Sequence, residues 1–502
     1  MDLLSNLVFG LSTATSVVNL GFCFLGVLLG TLIGVLPGIG PTATIALLLP
    51  VTIQIGDPVS SMILLSGVYY GAQYGGSTTA ILINLPGEAS SAVTAIDGYQ
   101  MARNGRAGVA LAVAAIGSFF AGTMSTLLIA VFAVPLTEIA LRFGAAEYCS
   151  LMIVGLVCAA ALAHGSIVKA LGMAVLGLLL GLVGIDIYAG TPRFNLGIIE
   201  LSDGLNFVAV AVGVFGIGEI LRNLENERGR DVLAAKITSL MPTRADFRKI
   251  LAPIVRGTAL GSLLGILPGG GATLAAFASY AVEKQVSKRP EEFGQGAIAG
   301  VAGPESANNA GAQTSFIPML TLGIPANPVM ALMIGAMIIY GIVPGPNIVA
   351  EQPVLFWGVI ASMWIGNLML VILNLPLIGL WVRLLRVPYY VLFPTIMGFC
   401  AIGVYSVSSN VYDLYTVSFF GLAGYILIKL RCEPAPLLLG FVLGPLLEEN
   451  LRRALLLSHG DPTVFVTRPI SAVLLLIALI VMLAVLIPAV RREREVVFAP
   501  DD

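Results

Sequence analysis

The residues with most chemical capacity in this 502-residue chain lie in polar motifs set inside apolar sequence. Gly303-Pro304-Glu305-Ser306-Ala307-Asn308-Asn309 places one carboxylate and two amides among Gly and Ala. Ser77-Thr78-Thr79 and Asn84 form a second set, which runs through Pro86-Gly87 to Glu88. A third is Gly34-Val35-Leu36-Pro37-Gly38-Ile39-Gly40-Pro41-Thr42, echoed by Gly265-Ile266-Leu267-Pro268-Gly269-Gly270-Gly271-Ala272-Thr273 with six of nine positions identical at an offset of 231 residues. Residues 1–102 and 290–382 contain no Lys or Arg. An anion held among these motifs would therefore rest on backbone N–H groups and neutral side chains. Half-helix N-termini supply such N–H groups and the positive end of the helix dipole. The candidate substrate-binding residues are Pro37, Gly38, Gly40, Thr42, Ser77, Thr78, Thr79, Asn84, Gly269, Gly271, Thr273, Ser306, Asn308, Asn309, Thr321 and Gly323, with Thr314 a further hydroxyl donor. A carboxylate at membrane depth is costly and marks function, so Glu305 is the first candidate for ion coupling or gating, against a loop position in water. Asn308, Asn309 and Asn84 join it, because amide oxygens and broken-helix carbonyls also suit Na+. Glu88 and Asp97 are expected to face solvent.

Other chemistries find little support. The two histidines, His164 and His459, have no carboxylates at ligand spacing, and Cys23, Cys149, Cys158, Cys400 and Cys432 show no CxxC pattern. They point to packing rather than to a metal or disulfide framework. No Gly-x-x-x-x-Gly-Lys motif supports direct ATP coupling, and no basic, aromatic-rich stretch suggests nucleic acid. No catalytic residue, resident metal or cofactor is expected beyond a transported Na+.

These motifs must be positioned by membrane helices. Hydrophobic residues make up 57% of the chain and charged residues 11%, with mean hydropathy +0.96, where a soluble protein carries roughly 25% charge. An all-α polytopic membrane protein follows, with about 10–12 membrane segments. No Lys or Arg precedes Arg103, so no cleaved signal is expected and the first helix stays. The first segment runs from about Leu11 to Leu36 and breaks at Pro37-Gly38. Gly71 to Ser77 reads as a Gly-rich interruption between Val59–Tyr70 and Thr78–Leu85. Spans follow near Val109–Val134, Tyr148–Leu162, Ile167–Ile187 and Leu205–Leu221 in the first half, and near Val329–Ile342, Val354–Leu375, Val391–Val407, Leu414–Ile428 and Ile470–Ile487 in the second. Gly26-Gly30-Gly34 and Gly257-Gly261-Gly265 are small residues spaced by four, which suit close helix packing. Gly323-Ile324-Pro325-Ala326-Asn327 aligns loosely with Asn84-Leu85-Pro86-Gly87-Glu88.

The expected organisation is a first membrane repeat (1–221), a basic linker (222–256), a second repeat (257–490) and a tail (491–502). Paired Gly/Pro breaks in two halves indicate a transporter's central site. The loop after the first copy holds Arg103 and Arg106, whereas its counterpart, Val343 to Pro353, has no Lys or Arg. That asymmetry predicts inverted-topology repeats with re-entrant helices, the N-terminus outside, and the linker and C-terminus cytoplasmic. The contrast between broken and whole helices suggests elevator-type movement.

Taken together, the Gly34–Thr42 motif, the run from Tyr70 to Glu88, and Gly303–Asn309 through Leu322-Gly323-Ile324-Pro325 resemble the TctA family. This is the large membrane subunit of the bacterial tripartite tricarboxylate transporters, and the likeness extends over essentially the whole chain. The resemblance implies an inner-membrane permease, a small four-helix partner subunit of the TctB type, and a periplasmic substrate-binding protein of the TctC type. It also implies uptake of a tri- or dicarboxylate or related organic anion driven by an ion gradient. A stand-alone carboxylate symporter without a binding protein is the alternative. A membrane-embedded hydrolase would want a nucleophile with His or paired carboxylates in reach, and a passive channel would not accumulate substrate uphill. Membership leaves the carboxylate and the choice of Na+ or H+ open.

Overall fold

A computed structural model describes residues 3–36, 40–163, 166–186, 188–225, 241–268, 271–384 and 389–486. Pro37, Gly38, Gly269, His164, residues 226–240 of the basic linker and the C-terminal tail lie outside the described residues. The chain is almost wholly helical, with one two-residue antiparallel strand pair, Gly184–Ile185 with Pro192–Arg193.

The first half begins with α1 (Leu3–Ala14) and α2 (Val17–Val35). They are separate because Ser16 caps α2, its Oγ accepting the Asn19 N–H at 3.3 Å. The single first segment expected from hydropathy is thus two helices. Then come α3 (Pro41–Ile55), α4 (Pro58–Ile83), α5 (Ala92–Met101), α6 (Ala107–Ala140), α7 (Ala145–Leu162), α8 (Ile167–Gly181) and α9 (Phe207–Glu225), whose middle turn, Val212–Ile217, is π-helical. The second half holds α10 (Arg244–Leu264), α11 (Gly271–Val286), α12 (Ala299–Thr314), α13 (Phe316–Leu322), α14 (Pro328–Ile339) and α15 (Pro353–Asn374). It ends with α16 (Tyr389–Ser408), α17 (Val411–Lys429), α18 (Pro434–Leu457) and α19 (Pro469–Leu486).

Among the described residues six helical stretches are long and apolar enough to cross a membrane: Val17–Val35, Ala89–Ala140, Ala145–Leu162, Phe207–Glu225, Pro353–Asn374 and Val411–Lys429. Shorter apolar helices such as α3, α8 and α14 accompany them. The protein is a multi-pass membrane protein.

One expected break is absent. Gly71 to Ser77 lies inside α4, a continuous 26-residue helix buried along nearly its whole length. Its glycines serve close approach rather than interruption. A Cβ built on Gly26, Gly30 or Gly34 of α2 would stand 2.4 Å from the carbonyl oxygen of Leu64, Val68 or Ala72 of α4. On α10, Gly257, Gly261 and Gly265 meet the carbonyls of Gly303, Ala307 and Gly311 of α12 at 2.2, 2.3 and 2.4 Å. Each α12 carbonyl lies 239 residues beyond its α4 counterpart. Small residues let two backbones touch where lipid offers no hydrophobic drive between helices.

The same offset reappears where the helices end. Asn84 caps α4 at φ 56° and Gly323 caps α13 at φ 70°, both left-handed, and 239 residues separate them. Packing between the halves is exchanged in kind: α2 and α4 rest on α15, while α10 and α12 rest on α6. Elsewhere α7, α8, α18 and α19 form a second group, with Gly177 and Gly440 at the α8–α18 contact.

Candidate functional site

Glu305 sits mid-helix in α12 with no exposed surface, so the expected alternative of a loop in water is overturned. Ser77 Oγ of α4 donates to Glu305 Oε2 at 2.6 Å, and Thr94 Oγ1 of α5 donates to Oε1. Ser118 of α6 is a third hydroxyl in reach, and it also accepts from Asn309 Nδ2 at 2.6 Å. Helical geometry explains the grouping, since residues four apart share a face, and Glu305 and Asn309 both point from α12 into the α4–α6 contact. Three hydroxyls from the first half surround a carboxylate from the second. A small cavity of ≈ 20 Å³ adjoins Glu305, lined also by Tyr74, Ser77, Thr78, Ser118 and Asn374. That is room for about one water-sized species, not for a carbon chain.

Next to it, Asn308 Nδ2 donates to Glu88 Oε1 at 3.4 Å. Asn327 Nδ2 donates to Tyr69 Oη at 3.1 Å. Asn308 lies 239 residues beyond Tyr69, and Asn327 lies 239 beyond Glu88. The two cross-half contacts therefore join the same pair of offset-related positions with the halves exchanged.

Two expectations are corrected here. Glu88 is half-buried and bonded to Asn308 rather than free in solvent. Asp97 has no exposed surface; its Oδ1 accepts the N–H groups of Gly294, Gly296 and Ala297 at 2.8, 2.8 and 2.9 Å, and Tyr280 Oη donates to Oδ2 at 3.0 Å. A short side chain on α5 thereby ties the first half to the loop before α12.

The helix starts differ between halves. Gly40 is the N-cap of α3, and its N–H faces the carboxylate of Glu219 on α9. Gly271 opens α11 at φ 31°, and a Cβ there would stand 3.8 Å from Asn327 Nδ2. The positive end of the first helix thus already meets a carboxylate, as the helix dipole favours.

Other expected donors are dispersed or engaged locally. Thr79, Ser306, Thr314 and Thr321 hydroxyls donate to carbonyls of Gly76, Ala302, Ala310 and Ile317 on their own helices. Asn84 is exposed, and Thr42 and Thr273 are partly exposed at the starts of α3 and α11. A Cβ on Gly323 would collide with the Pro344 carbonyl at 2.5 Å.

Glu219, Thr94, Ser118, Gln73 and Asn327 were not singled out by sequence. Glu219 had a signal, the first carboxylate at the end of the apolar run Phe207–Gly218 of α9. The others are ordinary polar residues whose role comes from helix packing.

The sequence model of the tripartite tricarboxylate transporter TctA family matches residues 20–439. The chain belongs to the TctA family. Residues 20–439 span every contact just described around Glu305 and Glu88. Among relatives, the chain is 64% identical over 502 residues, the full length of both, to an uncharacterised 52.8 kDa protein in the TAR-I ttuC′ 3′ region of Agrobacterium vitis. It is 65% identical over 242 residues to an uncharacterised protein in the TAR-II ttuC′ 3′ region of the same organism, covering 48% of this chain and all of that one. No solved structure matches. Transport is the work of the TctA family, and among the described residues no three His, Cys, Asp or Glu side chains converge as a metal centre would need.

Proposed function

We propose that this TctA protein is the permease subunit of a binding-protein-dependent secondary transporter. It imports a tri- or dicarboxylate or related organic anion across a bacterial inner membrane, driven by a Na+ or H+ gradient. A TctB-type four-helix subunit and a TctC-type periplasmic protein complete the assembly. The observation that carries this reading is Glu305, a fully buried carboxylate ringed by hydroxyls where two halves of a TctA chain meet. A carboxylate in such a place is an ion-coupling group by default.

The halves are inverted repeats in this reading. Supporting it are the 231- and 239-residue offsets, the exchanged contacts of Tyr69, Glu88, Asn308 and Asn327, and the Lys/Arg asymmetry between corresponding loops, which also favours a cytoplasmic C-terminus. The substrate carboxylates meet the N–H groups at the starts of α3 and α11 and the turns at Asn84 and Gly323, with Thr42 and Thr273 beside them. Alternating access moves α2–α4 and α10–α13 as a body against α7, α8, α18 and α19. Single cysteines at Thr42 and Thr321, labelled from either side with and without substrate and gradient, test the movement. Accessibility that switches sides supports it; accessibility identical in all conditions rules it out.

A further inference from the structure

We propose that the hairpin between α8 and α9 is a lipid-binding surface, which seats Phe194, Leu196 and Ile199 in the headgroup–acyl boundary of the bilayer. These three side chains are 59%, 86% and 80% exposed, and Ile185 and Tyr188 beside them are exposed as well. Phe194 and Leu196 both hold left-handed backbone, at φ 53° and 52°, which costs free energy in a residue with a Cβ. Large exposed apolar side chains gathered in one loop mark a contact surface.

Helix length sets the depth of that surface. The 15 residues of α8 reach about 22 Å at the helical rise, against a hydrocarbon core of about 30 Å. Lys169 fixes the start of α8 at water, its exposed ammonium donating to the Leu430 carbonyl at 2.6 Å. The chain therefore leaves α8 before the far headgroups, and the hairpin covers the remaining distance. One face of α8 is open along its length: Val168, Val175 and Leu179 are exposed, and a Cβ on Gly172 would meet nothing within 4 Å. Ile185 continues this acyl-facing stripe into the hairpin.

The hairpin also closes its own polar groups, as backbone beside hydrocarbon must. Asp186 N–H donates to the Thr191 carbonyl at 2.9 Å, and Gly190 N–H to the Asp186 carbonyl at 2.7 Å. Asp186 and Glu448 are matched by Arg193 and Arg452: Arg193 Nη1 lies 2.6 Å from Glu448 Oε1, and Arg452 Nη2 lies 2.8 Å from Asp186 Oδ2. The Arg452 guanidinium also stands 5.4 Å from the centre of the Tyr188 ring. Two acids against two cations leave this network neutral, so the hairpin offers an apolar tip without net charge from these pairs, which suits a bilayer better than a soluble protein. Bonded to α18, the seated hairpin would hold α7, α8, α18 and α19 in place; that use alone rests on the movement proposed above.

The test uses the full-length chain alone in phosphatidylcholine vesicles, so its outcome is independent of any transport result. Phe194→Trp and Leu196→Trp are each read against the wild-type background of three tryptophans. Met241→Trp, at an exposed position before α10, is the water-facing control. Interfacial side chains lie about 5–10 Å into the boundary, so vesicles carrying 6,7-dibromo phosphatidylcholine should quench the Phe194→Trp and Leu196→Trp signals about threefold or more beyond that of Met241→Trp. Aqueous iodide should show the reverse order. Iodide quenching equal to that of Met241→Trp, without quenching by the brominated lipid, places the tip in water and overturns the proposal. So does lipid quenching that disappears when a small four-helix subunit is reconstituted alongside, since that subunit would then cover the surface.

Discussion

Ser77 and Glu305, 228 residues apart in sequence, share a hydrogen bond of 2.6 Å where the two halves of the chain meet. The donor comes from a continuous α4 and the carboxylate from the interior of α12. Both helices belong to the body proposed to move, so the bond would travel with it, and so would any proton or ion that Glu305 holds in the proposed reading. Glu305→Gln is expected to cut gradient-driven substrate accumulation at least tenfold, about 1.4 kcal/mol or more, while exchange of substrate against internal unlabelled substrate continues. Equal loss of both activities in a folded variant would remove Glu305 from coupling. Ser77→Ala leaves one carboxylate oxygen with a partner fewer, and a hydrogen bond to a charged group is worth about 1.5–3 kcal/mol; a lower Tm with partial coupling is the expected outcome.

The glycine seams predict a graded effect on stability. Gly30→Ala and Gly261→Ala place a Cβ 2.4 and 2.3 Å from a backbone carbonyl oxygen, and neither carbonyl can move without shifting its helix. Overpacking of this kind costs about 1–3 kcal/mol. Gly21→Ala on the same α2 has nothing within 4 Å and should be neutral, or stabilising by up to about 1 kcal/mol through helix propensity. Thermal unfolding of the three variants in detergent checks the order. A Gly21 variant as unstable as the other two would contradict close helix contact as the cause.

How much of this was legible beforehand depended on whether a residue type has one physical meaning or two. The Gly26-Gly30-Gly34 and Gly257-Gly261-Gly265 stripes were legible because small residues every four positions suit close helix contact. Glu305 was legible because a carboxylate among Gly and Ala is costly in a membrane. Gly71 to Ser77 was misread because glycine serves both to break a helix and to admit a neighbouring backbone. The deciding pattern, Gly67-Gly71-Gly75 at the same spacing as the α2 stripe, was present but paired only in three dimensions. Asp97 and Glu88 were assigned to solvent since nothing local to them shows the loop at Gly294–Ala297 or the amide of Asn308 arriving from the other half. Thr94 and Ser118 carry no sequence signal at all, because their partner comes from a separate helix.

Glu219 offers a prediction about substrate affinity. Its carboxylate occupies the positive end of α3, where an incoming anion would compete with it. Charge at a helix N-terminus is worth about 0.3–2 kcal/mol. Glu219→Gln removes the charge and keeps the shape, so the KM for the transported anion should fall by about two- to tenfold. A KM that stays constant or rises would place substrate away from the start of α3.

Asp186, in the loop after α8, gives a pH dependence outside the membrane. Its carboxyl is held down at about 2 by the Ala189 N–H first, then by Arg452, with Tyr188 N–H and Arg193 adding to them against the cost of burial. Arg452 Nη2 lies 2.8 Å from Asp186 Oδ2, and Arg193 bridges to Glu448 at 2.6 Å. The folded value is depressed below the unfolded value of 3.8, so the stabilisation is present above about pH 4 and is lost as pH falls toward 2. Pepsin cleavage near Phe194 and Leu196, both exposed, should therefore accelerate between pH 4 and pH 2 beyond pepsin's own pH profile. Asp186→Asn should be cleaved quickly already at pH 4. Equal resistance of wild type and variant at pH 4 would show that this ion pair does not hold the loop.

The most direct measurement is uptake of radiolabelled carboxylates into proteoliposomes containing this chain and its small membrane partner, with and without the cognate binding protein, under imposed Na+ or H+ gradients. The expected result is uphill accumulation that requires the binding protein and one of the two gradients and proceeds without ATP. Equilibration independent of any gradient, or accumulation that needs no binding protein, would contradict a tripartite, ion-driven permease.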